Sequence, residues 1–393
     1  MRTAIVHEWI TGWVGSEKVT GALAEIFPEA PVYVTVFDPK VLKGTPLEGR
    51  EVRGSFLQGW PGAVRFHRWL LGLMPVAVEQ HDLNEFELVI SSSHAVAHGA
   101  IVPAHALHVC YCHTPMRYAW DLSARYAQEA GNGVKGLLWR LVMHRLRVWD
   151  EASSSRVDAW VANSRYVAER VRRWYGVEDV AVVHPPVAVE RFDPMQRREG
   201  YYLTAGRLVG YKRVDLAVRA CATTGRELVV AGDGPERKRL EAVAAGAGAR
   251  VGGSGKGSIR FVGAVDDGEL ARLMSRCRAL IFAGEEDFGI VPVEAQAAGA
   301  PVIGLGRGGV TETVVDGSSG VLFAEQTTPS VTEALERFEH GGVAWDAARI
   351  AEHAGRFSGR RFEREMRAVV DAAWAAKRRR IAGSASTEHE EQR

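Results

Sequence analysis

Long apolar runs are missing from this sequence. None reaches the roughly 18 residues that a membrane-spanning helix needs. The first residues, MRTAIVHEW, read as a strand and not as a signal peptide. The expected setting is therefore cytoplasmic. An excess of one charge is also missing: Lys and Arg number 49, Asp and Glu 48, and the net charge is +1. No global field favours nucleic acid or an acidic partner. Cysteine is scarce. Cys110 and Cys112 lie two apart on a strand-like run, with Cys221 and Cys277 far away. That pattern excludes a paired-cysteine zinc site and a disulfide framework, and it fits a reduced chain. Two glycine fingerprints fail as well. The first strand-to-helix loop carries Gly12 and Gly15 but no G-x-G-x-x-G, and GSGKG at 253–257 has Gly257 where a P-loop needs Ser or Thr.

What remains is ordinary globular composition, with 46% hydrophobic and 25% charged residues over 393 positions. That length calls for two domains. Short apolar runs alternate with helical periodicity. Thr3–Val6 reads as a strand, His7–Ser16 as a loop and Glu17–Phe27 as a helix, the opening of a doubly wound α/β domain. Further strands are expected at 31–37, 86–91, 107–112, 158–162 and 180–184, with Ser91–His94 and His113–Tyr118 at strand ends. Ligands bind outside the carboxyl ends of such strands, which singles out His113. Helices are expected at 61–80 and 134–151, the latter with Leu138, Leu141, Val142 and Trp149 apolar and a solvated stripe of Arg140, His144, Arg147 and Glu151. Pro185-Pro186 marks a joint.

The second half repeats the pattern. The strand 201–205 runs into Gly206–Arg213, where Arg207 and Lys212 suit a diphosphate: a planar fork and a flexible point charge. The stretch FAGEEDFGIVPVEAQAAGAP at 282–301 organises this half. A buried strand is followed by Glu285, Glu286 and Asp287, then by Phe288, Gly289, Ile290 and Val291, then by a helix bearing Glu294 and ending at Gly299. Free amides at a helix start bind phosphate, while the nearby carboxylates suit sugar hydroxyls. The chemistry suggested is a nucleotide sugar.

The spacing of Glu286 and Glu294, with seven residues between them, resembles the E-x7-E motif of retaining glycosyltransferases of family four (glycosyl transferases group 1), which have the GT-B fold. SSSHAVAHG at 91–99 and CYCHTPMRYAWD at 110–121 resemble the bacterial O-antigen mannosyltransferase subgroup. The resemblance covers about residues 1–375. It implies two Rossmann-like doubly wound domains facing across a cleft. These are an N-terminal acceptor domain (1–187, with a helix at 359–380 crossing back) and a C-terminal donor domain (188–358), followed by a disordered tail (381–393).

By the same resemblance, Arg207 and Lys212 neutralise the donor pyrophosphate. The amides of Phe288, Gly289, Ile290 and Val291 add to this and hold the sugar. Glu286 binds sugar hydroxyls, Glu294 the ribose, and His113 lies near the sugar. Gly15 approaches the phosphates, although Ser16 replaces the second Gly of the family pair. His98 stands where the subgroup has Lys. No cofactor and no metal are expected, since two cations and a helix start take the metal's place, and the chain has no Asp-x-Asp. The expected reaction moves mannose from GDP-mannose to a glycan or lipid-linked glycan acceptor in surface polysaccharide synthesis. The alternatives are a UDP-sugar donor with another or soluble acceptor, and a non-catalytic nucleotide-sugar-binding partner subunit. Contact with anionic membrane is expected at 61–80 or at the basic run Lys377–Arg380.

Overall fold

Short strands of β-branched and small apolar residues, such as VYVTVF and LVVA, are hidden on both faces, as parallel sheets require. The computed structural model describes residues 1–131 and 133–391. These divide into two units, Met1–His184 with Phe362–Arg393, and Pro185–Arg361. Each boundary lies three residues from the expected one, and the first falls just before the Pro185-Pro186 joint.

The first unit holds strands β1 (Thr3–Ile10), β2 (Val32–Phe37), β3 (Val52–Gly54), β4 (Leu88–Ser93), β5 (Leu107–Cys112), β6 (Ala159–Ala162) and β7 (Val180–Val182). They form one parallel sheet in the order β3-β2-β1-β4-β5-β6-β7. The second unit holds β8 (Tyr202–Ala205), β9 (Leu228–Ala231), β10 (Arg250–Val251), β11 (Ser258–Gly263), β12 (Leu280–Phe282), β13 (Val302–Leu305) and β14 (Gly320–Phe323). Their order is β10-β11-β9-β8-β12-β13-β14, again parallel. The winding reverses between β1 and β4 in one unit and between β8 and β12 in the other. Adjacent loops diverge at such a reversal and leave a crevice.

Four expectations need correction. β1 does not stop at Val6. It continues through His7 and Glu8, both fully buried, to Ile10. The stretch 61–80 is not one helix but Ala63–Phe66, a 3-10 segment His67–Leu73 and Met74–Glu79. Gly62 enters it in a left-handed conformation, and Pro75 starts its last piece. In the helix Val134–Ser154, Leu138 and Leu141 face solvent, while Val142 and Trp149 pack on the core. The last helix, Gly359–Glu391, carries its backbone through the stretch expected to be disordered, and 392–393 lie outside the described residues. No proline interrupts that run, and it is rich in strong helix formers.

Candidate functional site

Each unit gathers its polar chemistry where its strand order reverses. In the first unit the organiser is Glu8, near the end of β1. Its Oε1 accepts from the backbone N–H of His94 (2.9 Å), Ala95 (2.8 Å) and Ala97 (3.2 Å) and from Ser93 Oγ (3.0 Å). One carboxylate oxygen thus fixes the turn that leaves β4. Burial alone would raise the Glu8 pKa, but the neighbouring His94 and His7 and these N–H groups hold it down at about 2.

Three imidazoles surround this carboxylate. His7 Nδ1–H donates to the carbonyl of Ser92 at 2.8 Å. His113, just past β5, has Nε2 hydrogen-bonded to Ser92 Oγ at 2.8 Å. Its backbone is held on both sides, since its N–H donates to Ser93 O (2.7 Å) and its carbonyl accepts from Asn163 Nδ2 (2.9 Å). The rings of His7, His94 and His113 lie 5.7–6.4 Å apart, centre to centre. Burial, reinforced by His94 and His7, pushes the His113 pKa well below its usual value, so the ring is neutral at pH 7. The helix Gly15–Ile26 starts beside this strand end. Ser16 Oγ donates to Glu17 at 3.1 Å, and Thr20 Oγ1 lies 3.0 Å from Ser92 Oγ.

His98 is not part of that surface. It is buried, with Nδ1 3.2 Å from Ser93 Oγ and Nε2 3.1 Å from Ser153 Oγ. Asp150 lies beyond it and accepts from Trp120 Nε1 (2.7 Å) and the Tyr175 hydroxyl (2.9 Å). This network joins Glu8 to the long helix through Ser93 and His98. The departure from Lys at this position has a structural role here.

In the second unit Lys212 Nζ meets Glu286 Oε1 at 2.9 Å, each side chain about one-fifth exposed. Burial works against the Lys212 charge, but Glu286 more than offsets it, and the pKa is raised. One partner follows β8 and the other follows β12, so the pair spans the reversal. The loops around it touch backbone to backbone. A Cβ on Gly232 (φ +134°) would sit 1.9 Å from the carbonyl of Gly206, and one on Gly308 would sit 2.6 Å from that of Glu286. The Glu286 carbonyl also accepts from Gly309 N–H at 2.9 Å. Gly289, at φ +87°, turns the chain into the helix Ile290–Ala297, whose first N–H groups lack partners within the helix.

The structure therefore brings Lys212 and Glu286 together, with the helix start at Ile290 and Val291 on the same loop. Arg207 stands apart. It is exposed, and its side chain has no partner among the described residues. The Phe288 ring is core, 5.6 Å from that of Phe357, which leaves only its backbone for a ligand. Glu294 is largely buried on its helix. His113 and Gly15 belong to the first unit. Sequence reasoning missed His7, Glu8 and His94. The signal was an acid and an imidazole inside the apolar run IVHEWI, where the expectation was a loop.

Residues 13–191 match the family model described as Glycosyltransferase Family 4, and residues 191–356 match Glycosyl transferases group 1. Among curated proteins, a D-inositol 3-phosphate glycosyltransferase of Streptomyces bingchenggensis is 31% identical over 241 residues, 53% of this chain and 52% of the relative. A glycogen synthase of Mycobacterium tuberculosis is 28% identical over 229 residues, 54% and 53% of the two chains. The chain thus spans about half the length of the curated relatives it matches. Among solved structures, sucrose-phosphate synthase from Thermosynechococcus elongatus superposes with a TM-score of 0.72 at 17% identity, covering 96% of this chain and 100% of that one. Anabaena HepE in complex with UDP gives 0.69 at 16% identity, covering 95% and 100%. These structural likenesses establish the fold. From residue 13 to residue 356 the chain is a Glycosyltransferase Family 4 domain followed by a Glycosyl transferases group 1 domain, on the GT-B fold.

Proposed function

We propose that this chain is a retaining hexosyltransferase that takes its sugar from a nucleotide diphosphate donor held by the second unit. The observation that carries the reading is the Lys212–Glu286 pair at the β8/β12 reversal, beside a helix start. As the glycosidic bond breaks, negative charge builds on the leaving diphosphate. Lys212, Arg207 and the amides of Phe288, Gly289, Ile290 and Val291 stabilise that charge, and stabilisation that grows along the reaction lowers the barrier. On donor binding Lys212 turns to the phosphates and Glu286 to the sugar hydroxyls. Glu294 receives the ribose. Gly15 and His113 are assigned contacts to phosphate and sugar on the likeness of their strings to the family alone. These cations and amides take the role a metal plays in other transferases.

Retention follows from front-face attack. The acceptor hydroxyl oxygen bonds to the anomeric carbon on the face the phosphate leaves. Its proton passes to the departing phosphate oxygen, and the nucleoside diphosphate is released. No enzymic nucleophile is required.

GDP-mannose is the donor we assign, on the likeness of the strings at 91–99 and 110–121 to mannosyltransferases. A UDP-sugar is the second reading, favoured by the UDP bound in Anabaena HepE. The acceptor is a glycan or lipid-linked glycan precursor of surface polysaccharide, met at an anionic membrane surface. Support for that surface comes from the first unit, where Trp69, Leu137, Leu138 and Leu141 are exposed, as are Arg65, Arg68, Lys135 and Arg145 near them in the sequence. In the basic run Lys377–Arg380, Lys377 and Arg380 both bind Asp158, while Arg378 and Arg379 are exposed.

Calorimetry and thermal melts with GDP, UDP, ADP and dTDP, without added metal, test the reading. A nucleotide at about 100 times its Kd should stabilise the protein by roughly 2.7 kcal/mol. Arg207→Ala, at an exposed position, should weaken binding without altering the melt of the free protein. Lys212→Ala should abolish transfer. Turnover that survives Lys212→Ala, or binding to none of the four nucleotides, would overturn the proposal. UDP binding in preference to GDP would exchange the donor.

A further inference from the structure

We propose that His7, Glu8 and His94 form a binding site for one divalent transition cation of the zinc class, at the β1/β4 reversal of the first unit. Among the described residues they are the one group of three metal-ligating side chains whose donor atoms all lie within 4.8 Å of one another. Their lone pairs are set up by the surrounding bonds. The Nδ1–H of His7 is held by the Ser92 carbonyl, which leaves Nε2 as the ligating nitrogen. A backbone carbonyl on the far nitrogen is the usual way a metal-binding imidazole is oriented. Glu8 Oε1 is occupied by three backbone N–H groups and the Ser93 hydroxyl, which leaves Oε2.

Both remaining atoms, His7 Nε2 and Glu8 Oε2, are buried without a hydrogen-bond partner. Buried polar atoms are rarely left so, and each one is costly. His7 Nδ1 stands 3.4 Å from Glu8 Oε2, so the two side chains are adjacent, and a cation that reaches Nε2 and Oε2 would satisfy both at once. His94 supplies the third ligand and the way in. Its ring is about one-fifth exposed, and its Nε2 is 3.6 Å from Glu8 Oε2. Two ligands on a tetrahedral zinc, at about 2.0–2.1 Å each, stand about 3.3 Å apart. Trp9 packs edge-on against His94, with ring centres 4.8 Å apart, and holds the imidazole toward the carboxylate. Two imidazoles and one carboxylate favour zinc, cobalt or nickel over magnesium or calcium, which prefer oxygen alone. A fourth position is open to water or to a ligand oxygen. The cation would pin His94 and the turn after β4 beside His113. This site lies in the first unit and does not take over the role of Lys212 and Arg207 in the second.

Cobalt(II) provides the probe. The full chain, freed of metal by chelation, is titrated with Co2+ and followed in the visible region, where four- and five-coordinate cobalt absorbs far more strongly than the aquo ion. The expected result is one saturable site per chain, bleached by one equivalent of Zn2+. His94→Gln should weaken it by at least about tenfold, with an unchanged melt in the absence of metal. His144→Gln, on the exposed face of the long helix, should bind as the parent does. Absence of a visible band with Co2+ in large excess would overturn the site. So would undiminished binding by His94→Gln, which would mark surface histidines as the ligands. The readout is binding, so the outcome does not depend on the transferase reading.

Discussion

Single buried imidazoles set how this protein responds to acid. Burial holds His81 and His108 down at about 4, and it pushes His113 well below its usual value. An unfolded histidine titrates near 6.5. From about pH 6.5 down to 4 the unfolded chain therefore takes up protons that the folded chain refuses, and stability falls as pH falls. Glu8 and Glu339, both held at about 2, begin to release their share only below about 4.5, so the upper part of this window reports the imidazoles. His81 is the cleanest site to test. Its Nε2 is buried without a hydrogen-bond partner, its ring packs edge-on to Tyr33, and burial is the whole cause of its shift. His81→Phe should leave the urea midpoint near the parent value at pH 8 and flatten its fall between pH 6.5 and 4. A variant that keeps the parent slope would show that His81 is not among the groups responsible. Legibility at this scale was uneven. Lys212 and Glu286 could be read because a short loop delivers each from an obvious strand. Glu8 could not, because its function depends on N–H groups of a turn 86 to 89 positions away.

Elements were legible where an apolar run marks them, even at the edge β7, and illegible where a short edge strand or a surface lacks one. The inner strands LVISSS and LHVCYC are continuous or nearly continuous buried runs. The two strands the sequence did not reveal, Val52–Gly54 and Arg250–Val251, are short and lie at sheet edges. Such strands need little apolar side chain, so no run announces them. The helix Val134–Ser154 misled for the opposite reason. Its leucines suggested a core face, yet Leu137, Leu138 and Leu141 are 58%, 60% and 53% exposed. Trp69, on the adjoining segment, is 87% exposed. Apolar side chains interleaved with Arg and Lys favour the interface of an anionic bilayer over water. The protein should therefore sediment with vesicles of phosphatidylglycerol and phosphatidylcholine at low salt, and less with phosphatidylcholine alone. Combining Trp69→Glu with Leu138→Glu should release it into the supernatant with its melting temperature unchanged. Equal sedimentation with neutral and anionic vesicles would remove the electrostatic part of the reading, and equal sedimentation of the double variant would remove the surface itself. Among the described residues no helix is long and apolar enough to cross a membrane.

For the whole molecule, the chain path decides which part fails first. The second unit is one continuous stretch, Pro185–Arg361, whereas the first unit is completed only by its last segment, Phe362–Arg393. That segment is tied down by packing and charge. Phe362, Met366 and Val370 enter the core of the first unit. Lys377 Nζ is buried against Asp158 Oδ2 at 2.9 Å and also reaches the carbonyl of Ala106, and Arg380 takes the other Asp158 oxygen at 2.9 Å. Asp158 in turn accepts from His108 N–H at 2.9 Å, so the clasp leads into the sheet at the start of β5. The sequence showed this run as four consecutive basic residues, KRRR, and only the partner Asp158, 219 positions earlier for Lys377, turns it from a surface patch into a clasp. Lys377→Ala removes a charge-assisted hydrogen bond and leaves Asp158 short of one donor, a loss of about 2 kcal/mol. Because all of these partners lie in the first unit, that loss belongs to one unit alone. In scanning calorimetry the transition that rises with added nucleotide is expected to be that of Pro185–Arg361, and Lys377→Ala should lower the other. If the variant instead lowers the nucleotide-sensitive transition, the closing segment acts on both units and they unfold together; if it lowers neither, the clasp contributes nothing to stability.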